Sequence, residues 1–402
     1  MTAQRLALVL AIFGLSYFLS LFFRSVNAII APDLVAELGI DAAGLGLLTA
    51  GYFLGMGLMQ VPIGVFLDTY GPKIVQSALL AVAALGIALF AMADGLMLLT
   101  IARALIGIGL GGSLMSAFQV AALWLPPARL PLANACYLAI GGLGVLASTA
   151  PVEAALEFVD WRGLFALIAA VTLLVGLGIA VLTPMPKGTG SSPRWTDQVR
   201  GLQVVAASSV MWRYLPLTAI CFATGTALQG LWAASWFRDI AGLDRAAVAF
   251  NLAGMAVALT IGSVAGGLVT VLLKRFGLRL RHVVLGCAAL FIMAQAGIIF
   301  GPVSIAVVFW IGLCLTYNVV TLSYALVAQT FPIVYAGRSN TFMNTFVILA
   351  TFALQYGIGI GLEFWDGGRT SVHSSEAYTM TFSALLSLQV LCFLWSIRRE
   401  PR

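Results

Sequence analysis

The apolar positions of this chain do not alternate with polar ones. They fuse into long runs, broken by short clusters of Gly, Pro, Asp and Arg. A helix needs about 20 apolar residues to cross the hydrocarbon of a bilayer. Runs of that kind predict spans near residues 6–30, 44–67, 74–93, 96–120, 131–153, 163–182, 213–237, 247–271, 282–300, 303–328, 340–362 and 377–397. Two runs are too long for one helix and divide at turn signals, Ala93-Asp94-Gly95 and Gly301-Pro302. Arg5 followed by the apolar run Leu6–Ile30 has the look of a secretory leader, but no small-residue cleavage site follows, so we read it as a retained first span.

Composition agrees. Of 402 residues, 61% are apolar and 9% charged, with a mean hydropathy of +1.04. A soluble domain carries roughly 25% charged residues and could not hide this much apolar surface from water. The charges also orient the spans. With the N-terminus in the cytoplasm, 15 of the 21 basic residues fall on the inner side, and the outer loops hold only Arg162, Arg238, Arg245 and Arg369. This is the bias of the positive-inside rule, and it predicts both termini inside. The expected fold is therefore all-α and polytopic, with twelve transmembrane helices in two six-helix bundles. The bundles are residues 1–182 and 213–402, joined by a cytoplasmic linker, 183–212, whose stretch Trp195 to Val210 reads as a short interfacial helix. The net charge of +6 faces anionic lipid and does not point to nucleic acid.

Candidate chemistry is sparse. The five cysteines lack metal-ligand spacing, and both histidines, His282 and His373, lie in or beside loops. Neither an enzyme's nucleophile–base set nor a phosphate-binding loop is present, and no cofactor or metal is expected. Two charges lie well inside spans, Arg24 and Arg103. An ionisable group there is costly unless it faces a cavity or a partner. Arg24 reads either as a ligand for an anion or as a side chain reaching the outer headgroups. Arg103 reads as a structural brace or as part of a cavity. Tyr17 lies seven residues before Arg24 and Asn27 three after it, spacings that place all three near one helical face, with Pro32 set to distort the outer end of the same helix. Tyr52, Gln119, Asn134 and Tyr137 in the first half, and Gln229, Tyr317 and Asn318 in the second, are amides and phenols able to orient a polar solute. No acid occupies mid-span. Glu153, following Pro151, is a possible proton site or an outer cap.

Three motifs narrow the reading. Between spans two and three runs Gly64-Val-Phe-Leu-Asp68-Thr-Tyr-Gly71-Pro-Lys73, which resembles the loop signature of the major facilitator superfamily. In span four, Arg103-Ala-Leu-Ile-Gly107-Ile-Gly-Leu-Gly111 resembles that family's arginine-plus-glycine signature. Span one, with Tyr17, Arg24, Asn27 and Pro32, resembles the anion:cation symporter and organophosphate:phosphate antiporter branches. The resemblance implies two rocking bundles, gating roles for Gly64, Asp68, Gly71 and Lys73, and an anion held by Arg24. It departs from the pattern at Thr270 to Arg279, where Lys274 replaces the acid of the loop signature. The second-half basic partner of organophosphate antiporters and the span-five signature of nitrate porters are also missing.

The expected function is secondary transport of a small organic anion (a carboxylate, a zwitterion or a phosphate ester) by alternating access, as a monomer in a bacterial inner membrane. The alternatives are export of amphiphilic or cationic compounds and proton-coupled uptake of a neutral solute. The topology predicts that single cysteines at Gly188 and Gly367 react with impermeant reagents from opposite sides of the membrane. Reaction from one side contradicts twelve spans with both termini inside.

Overall fold

The computed structural model describes residues 3–185, 203–275, 279–368 and 372–398. The first half of the predicted interfacial helix, the predicted linker from Pro186 onward to Leu202, and Gly277 of the second-half loop lie outside them. Among the described residues the chain is helical throughout. The first part comprises α1 (Ala3–Ser25), α2 (Asn27–Leu38), α3 (Ala42–Ala91), α4 (Leu96–Leu110), α5 (Ser113–Trp124), α6 (Leu130–Ala147), α7 (Ala150–Leu156) and α8 (Trp161–Leu182). The second comprises α9 (Ser209–Ala227), a π-helical turn (Leu228–Trp232), α10 (Ala233–Asp239), α11 (Arg245–Arg275), α12 (Leu280–Phe300), α13 (Ala306–Tyr317), a 3-10 turn (Asn318–Leu322), α14 (Ser323–Ala328), α15 (Ile333–Trp365) and α16 (Ser375–Ile397). Two compact units result: Met1–Ile40 with Leu47–Trp195, and Asp41–Gly46 with Thr196–Arg402.

Among the described residues, ten helices are long and apolar enough to cross a membrane, and the α6–α7 pair, bent by 40°, makes an eleventh. The 50-residue α3 is not one straight rod. At Gly71 the backbone takes φ 77° and ψ 164°, a non-helical conformation that side-chain-bearing residues rarely adopt. A straight helix of that length would run about 75 Å, more than twice the hydrocarbon thickness. The break therefore divides it into two arms of membrane-crossing length.

Span one departs from its expected outline. The interruption is at Val26, not at Pro32, which sits inside the continuous helix α2. Ile29 N–H bonds Val26 O at 3.1 Å, a tightened turn that separates Arg24 from Asn27. A proline inside a helix removes one hydrogen bond and crowds the carbonyl four residues earlier, yet α2 runs on through Pro32 to Leu38.

Polar groups tie the helices of each unit together. In the first, Gln76 donates to Ser16 Oγ (2.9 Å) and Ser113 Oγ (3.1 Å) and accepts from Ser116 Oγ (2.8 Å), all four side chains being buried. In the second, Gln389 donates to Thr224 Oγ1 (3.1 Å) and Gln295 Oε1 (2.8 Å). At the end of the first unit that carries Glu37, Arg162 holds several elements at once. Its guanidinium donates to Ala91 O and Ala93 O (both 2.9 Å), to Glu37 Oε1 (2.8 Å) and to Asp94 Oδ1 (3.2 Å), and it lies 4.4 Å over the Trp161 ring. It thereby satisfies carbonyls at the end of α3 that have no partner within the helix.

The Arg162 and Trp161 hydrogen bonds hold the Glu37 carboxyl below its ordinary value of 4.5. A carboxylate with a depressed folded-state pKa contributes stability above its unfolded value and loses it as pH falls through the folded one. Between pH 5.5 and 3.5 the thermal midpoint of the wild type should fall further than that of Glu37→Gln. Parallel profiles in the two proteins contradict the clamp.

Candidate functional site

The first unit builds its polar interior on a face of α3. Thr49, Tyr52 and Met56 are spaced by three and four residues, so they line one stripe, and that stripe meets span one. Asn27 Nδ2 donates to Thr49 Oγ1 at 2.8 Å. Tyr52 Oη donates to Ser20 O at 3.0 Å and lies 3.1 Å from Ser20 Oγ. Arg24 Nη2 reaches Met56 Sδ at 3.5 Å.

Met56 lies fourteen residues into α3 from Ala42, about 21 Å along the axis. The Arg24 guanidinium is thus turned toward the α3 stripe within the first unit. A thioether is a weak acceptor. The buried Nε of Arg24 has no partner, and no carboxylate pairs with this guanidinium among the described residues. Asn27 Oδ1 and Tyr137 Oη are likewise buried without partners.

Glycines let these elements approach. A Cβ on Gly107 of α4 would overlap the Tyr52 carbonyl, and one on Gly55 would overlap Ala104 O. On α6, a Cβ at Gly141 would run into the Tyr17 ring and one at Gly144 into Phe18 O, so α6 packs directly on α1. Tyr137 stands against Gly14, three residues before Tyr17. Tyr17, Arg24, Asn27, Tyr52 and Tyr137 thus belong to one neighbourhood built by α1, α2, α3 and α6.

Other candidates lie elsewhere. Gln119 donates to Leu67 O at 3.1 Å, eleven residues beyond Met56 along α3, so it ties helices near the Gly71 end and does not join the Arg24 group. Asn134 is half-buried near the start of α6. Glu153 is half-buried in the first turn of α7, just past the α6–α7 bend. Asp68 is exposed and Lys73 half-buried on either side of Gly71. Thr49, Met56 and Ser20 were not singled out from sequence. The signal that finds them is the stripe spacing on α3 opposite the arginine helix.

In the second unit, Phe222, Gly225, Gln229 and Trp232 follow one face of the α9–α10 run. The Tyr317 ring rests on Gly225 and meets Phe222 edge-on at 5.7 Å. Gln229 is buried within the π turn, and Trp232 Nε1 donates to Gln355 O at 3.3 Å. Asn318 donates to Ser263 Oγ at 2.7 Å on α11 and begins the 3-10 turn. Tyr317 and Gln229 therefore share a face, while Asn318 turns toward another helix. Helix irregularities of this kind concentrate at functional sites.

Residues 13–354 match the Major Facilitator Superfamily, and the chain belongs to that family. It is an integral membrane transport protein, not an enzyme. A probable sulfoacetate transporter of Cupriavidus necator is 26% identical over 166 residues, 41% of this chain and 39% of that protein. An uncharacterized transporter of Bacillus subtilis, YybO, is 28% identical over 156 residues, 39% of this chain and 36% of the other. A nitrate/nitrite transporter of a Picosynechococcus is 31% identical over 114 residues, 28% and 21% of the two chains. The chain spans about two fifths or less of the length of these curated relatives. Among solved structures, a bacterial homolog of the human lysosomal transporter Spinster, inward-facing and unoccupied, matches with a TM-score of 0.77 at 17% identity over 100% of both chains. The D-xylose–proton symporter matches at 0.75 and 14% identity over 98% of both. At such identities the likeness is one of fold.

Gly107 sets how closely α4 approaches the Tyr52 stripe. Gly107→Val should cost at least the 1–3 kcal/mol usual for overpacking and lower the thermal midpoint of the purified protein. Gly64→Ala, where a Cβ meets nothing within 4 Å, should leave it unchanged. Equal midpoints for Gly107→Val and wild type contradict the close approach.

Proposed function

We propose that this protein is a secondary transporter of a small organic anion, with Arg24 as the principal ligand. The carrying observation is that the Arg24 guanidinium is turned into the first unit, toward Met56, with no carboxylate beside it among the described residues. A cation held in an apolar setting without a counter-ion favours an anion in that place. A planar guanidinium also offers two parallel N–H groups that match a carboxylate, sulfonate or phosphate. Asn27, Tyr17, Tyr52 and Tyr137 supply orienting polar groups and aromatic walls around it. The names of two partial relatives, for sulfoacetate and for nitrate or nitrite, support an anionic solute.

The transport cycle in this reading is alternating access by two six-helix bundles, residues 1–182 and 213–402, joined by 183–212. The arms of α3 on either side of Gly71 count as separate spans, which raises eleven to twelve; an even number leaves both termini on one side, and the excess of basic residues in the inner loops makes that side the cytoplasm of a bacterial cell. Gly71 turns the chain between those arms, and Asp68 and Lys73 on its flanks act in gating, not in ligand binding. Tyr317, Gln229 and Asn318 serve the second unit's polar contacts. Glu153, at the first turn of α7, is the acid placed to take a proton if transport is proton-coupled.

The test is a binding titration of the purified full chain with acetate, succinate and sulfoacetate. Removing one partner from a desolvated charge pair costs roughly 2–5 kcal/mol. Arg24→Ala should therefore weaken binding of the preferred anion by about 30-fold or more. Arg24→Lys keeps the charge but loses the fork, and should recover only part. Unchanged affinity in Arg24→Ala ends the assignment.

A further inference from the structure

The first unit holds a second cation whose burial is more extreme. Arg103 on α4 is 0% exposed. Its guanidinium carbon lies 4.7 Å from the Phe90 ring centroid, 5.7 Å from that of Phe165 and 5.9 Å from that of Phe23. Nη1 donates to Phe23 O at 3.0 Å, while Nε and Nη2 are buried without a hydrogen-bond partner. No carboxylate pairs with it among the described residues.

This is a poor arrangement for stability alone. A buried charge is usually matched by a carboxylate, and well-packed apolar residues of similar volume often serve stability as well or better. Three aromatic faces recover part of the desolvation cost through cation–π attraction. They do so without an acid that would cancel the positive charge of the neighbourhood. The single strong bond that Arg103 makes is therefore the informative one. Phe23 O belongs to the peptide unit that links Phe23 to Arg24, in the last turn of α1, just before the interruption at Val26. Carbonyls in a last turn have no partner within their own helix, and the peptide there is free to tilt unless something fixes it.

We propose that Arg103 is a positioning residue for anion binding: by holding the Phe23 carbonyl it fixes the peptide plane from which Arg24 projects, and so aims the ligand guanidinium. Gly107, one turn along α4, brings that helix against Tyr52, and Gly51 of α3 lies close enough that a Cβ there would meet Arg103 Cβ at 3.5 Å. The α3 stripe that surrounds Arg24 and the α4 arginine that orients it are thus set by one helix–helix contact. The proposal rests on Arg24 being the anion ligand.

A double-mutant cycle with succinate and sulfoacetate as probes tests it on purified full-length protein. Arg103→Met should weaken anion affinity by about tenfold, the coupling expected within one contact network. Arg103→Lys, which keeps a charge and a donor, should recover part of the loss. In an Arg24→Ala background, Arg103→Met should change affinity by less than about twofold, because there is no longer a guanidinium to aim. Thermal unfolding of each variant checks the fold, and Arg103→Lys carries the comparison if Arg103→Met does not fold. A loss of the same size with and without Arg24 makes Arg103 a direct ligand and overturns the positioning role. Undiminished affinity in Arg103→Met overturns it as well, leaving a brace. If neither probe binds the wild type, or if Arg24→Ala binds as the wild type does, the Arg24 assignment itself has failed.

Discussion

A positive charge kept inside an apolar unit without an acid to neutralise it is the constraint from which the rest of the first unit follows. Arg24 must be carried on a helix and turned inward. The helix must be interrupted just after it, at Val26, and the facing helix must offer a stripe of small polar and soft groups, Thr49, Tyr52 and Met56, in place of a carboxylate. The glycines of α4 and α6 then make sense as the means of bringing four helices around that charge, since a side chain at Gly107 or Gly141 would collide with Tyr52 or Tyr17. In water such a cation would be unremarkable. In a low-dielectric interior it is a standing attraction for any anion that can reach it.

The second unit contributes differently. Its described polar contacts between helices include the amide and hydroxyl network of Gln389, Thr224 and Gln295, the Asn318–Ser263 bond and the Trp232 N–H donor, beside ion pairs such as His373–Asp366. Its helices are less regular, with a π turn at Leu228–Trp232 and a 3-10 turn at Asn318–Leu322.

The helical, multi-spanning character was legible because lipid imposes a simple rule of length and apolarity. Thus the runs around α8, α12 and α16 match their predicted spans within a few residues. The turn at Gly71 was legible from its glycine and proline. What could not be read was the local bending. Pro32, expected to distort the outer end of span one, lies within the continuous helix α2, while the interruption falls at Val26, where no residue type announces it. Tertiary hydrogen bonds, Arg103 to Phe23 O and Asn27 to Thr49, act on the backbone and side chains there, and a single-chain pattern does not contain them. The same holds for Gln119, an amide able to orient a solute, whose side chain instead donates to Leu67 O, eleven residues beyond Met56 along α3. Arg24 and Arg103 could be found as the two charges in mid-span. Which points toward the α3 stripe and which is sealed by aromatic rings depended on neighbours distant in sequence.

The most direct test of the account is a thermal-shift comparison of the purified wild-type protein across solute classes. A ligand that binds only the folded state raises the apparent midpoint, increasingly as its concentration exceeds its Kd. The account predicts stabilisation by a small carboxylate or sulfonate, weakened at high ionic strength, with no response to neutral sugars or lipophilic cations. Stabilisation by a lipophilic cation or a neutral sugar, with none by any anion, would contradict it.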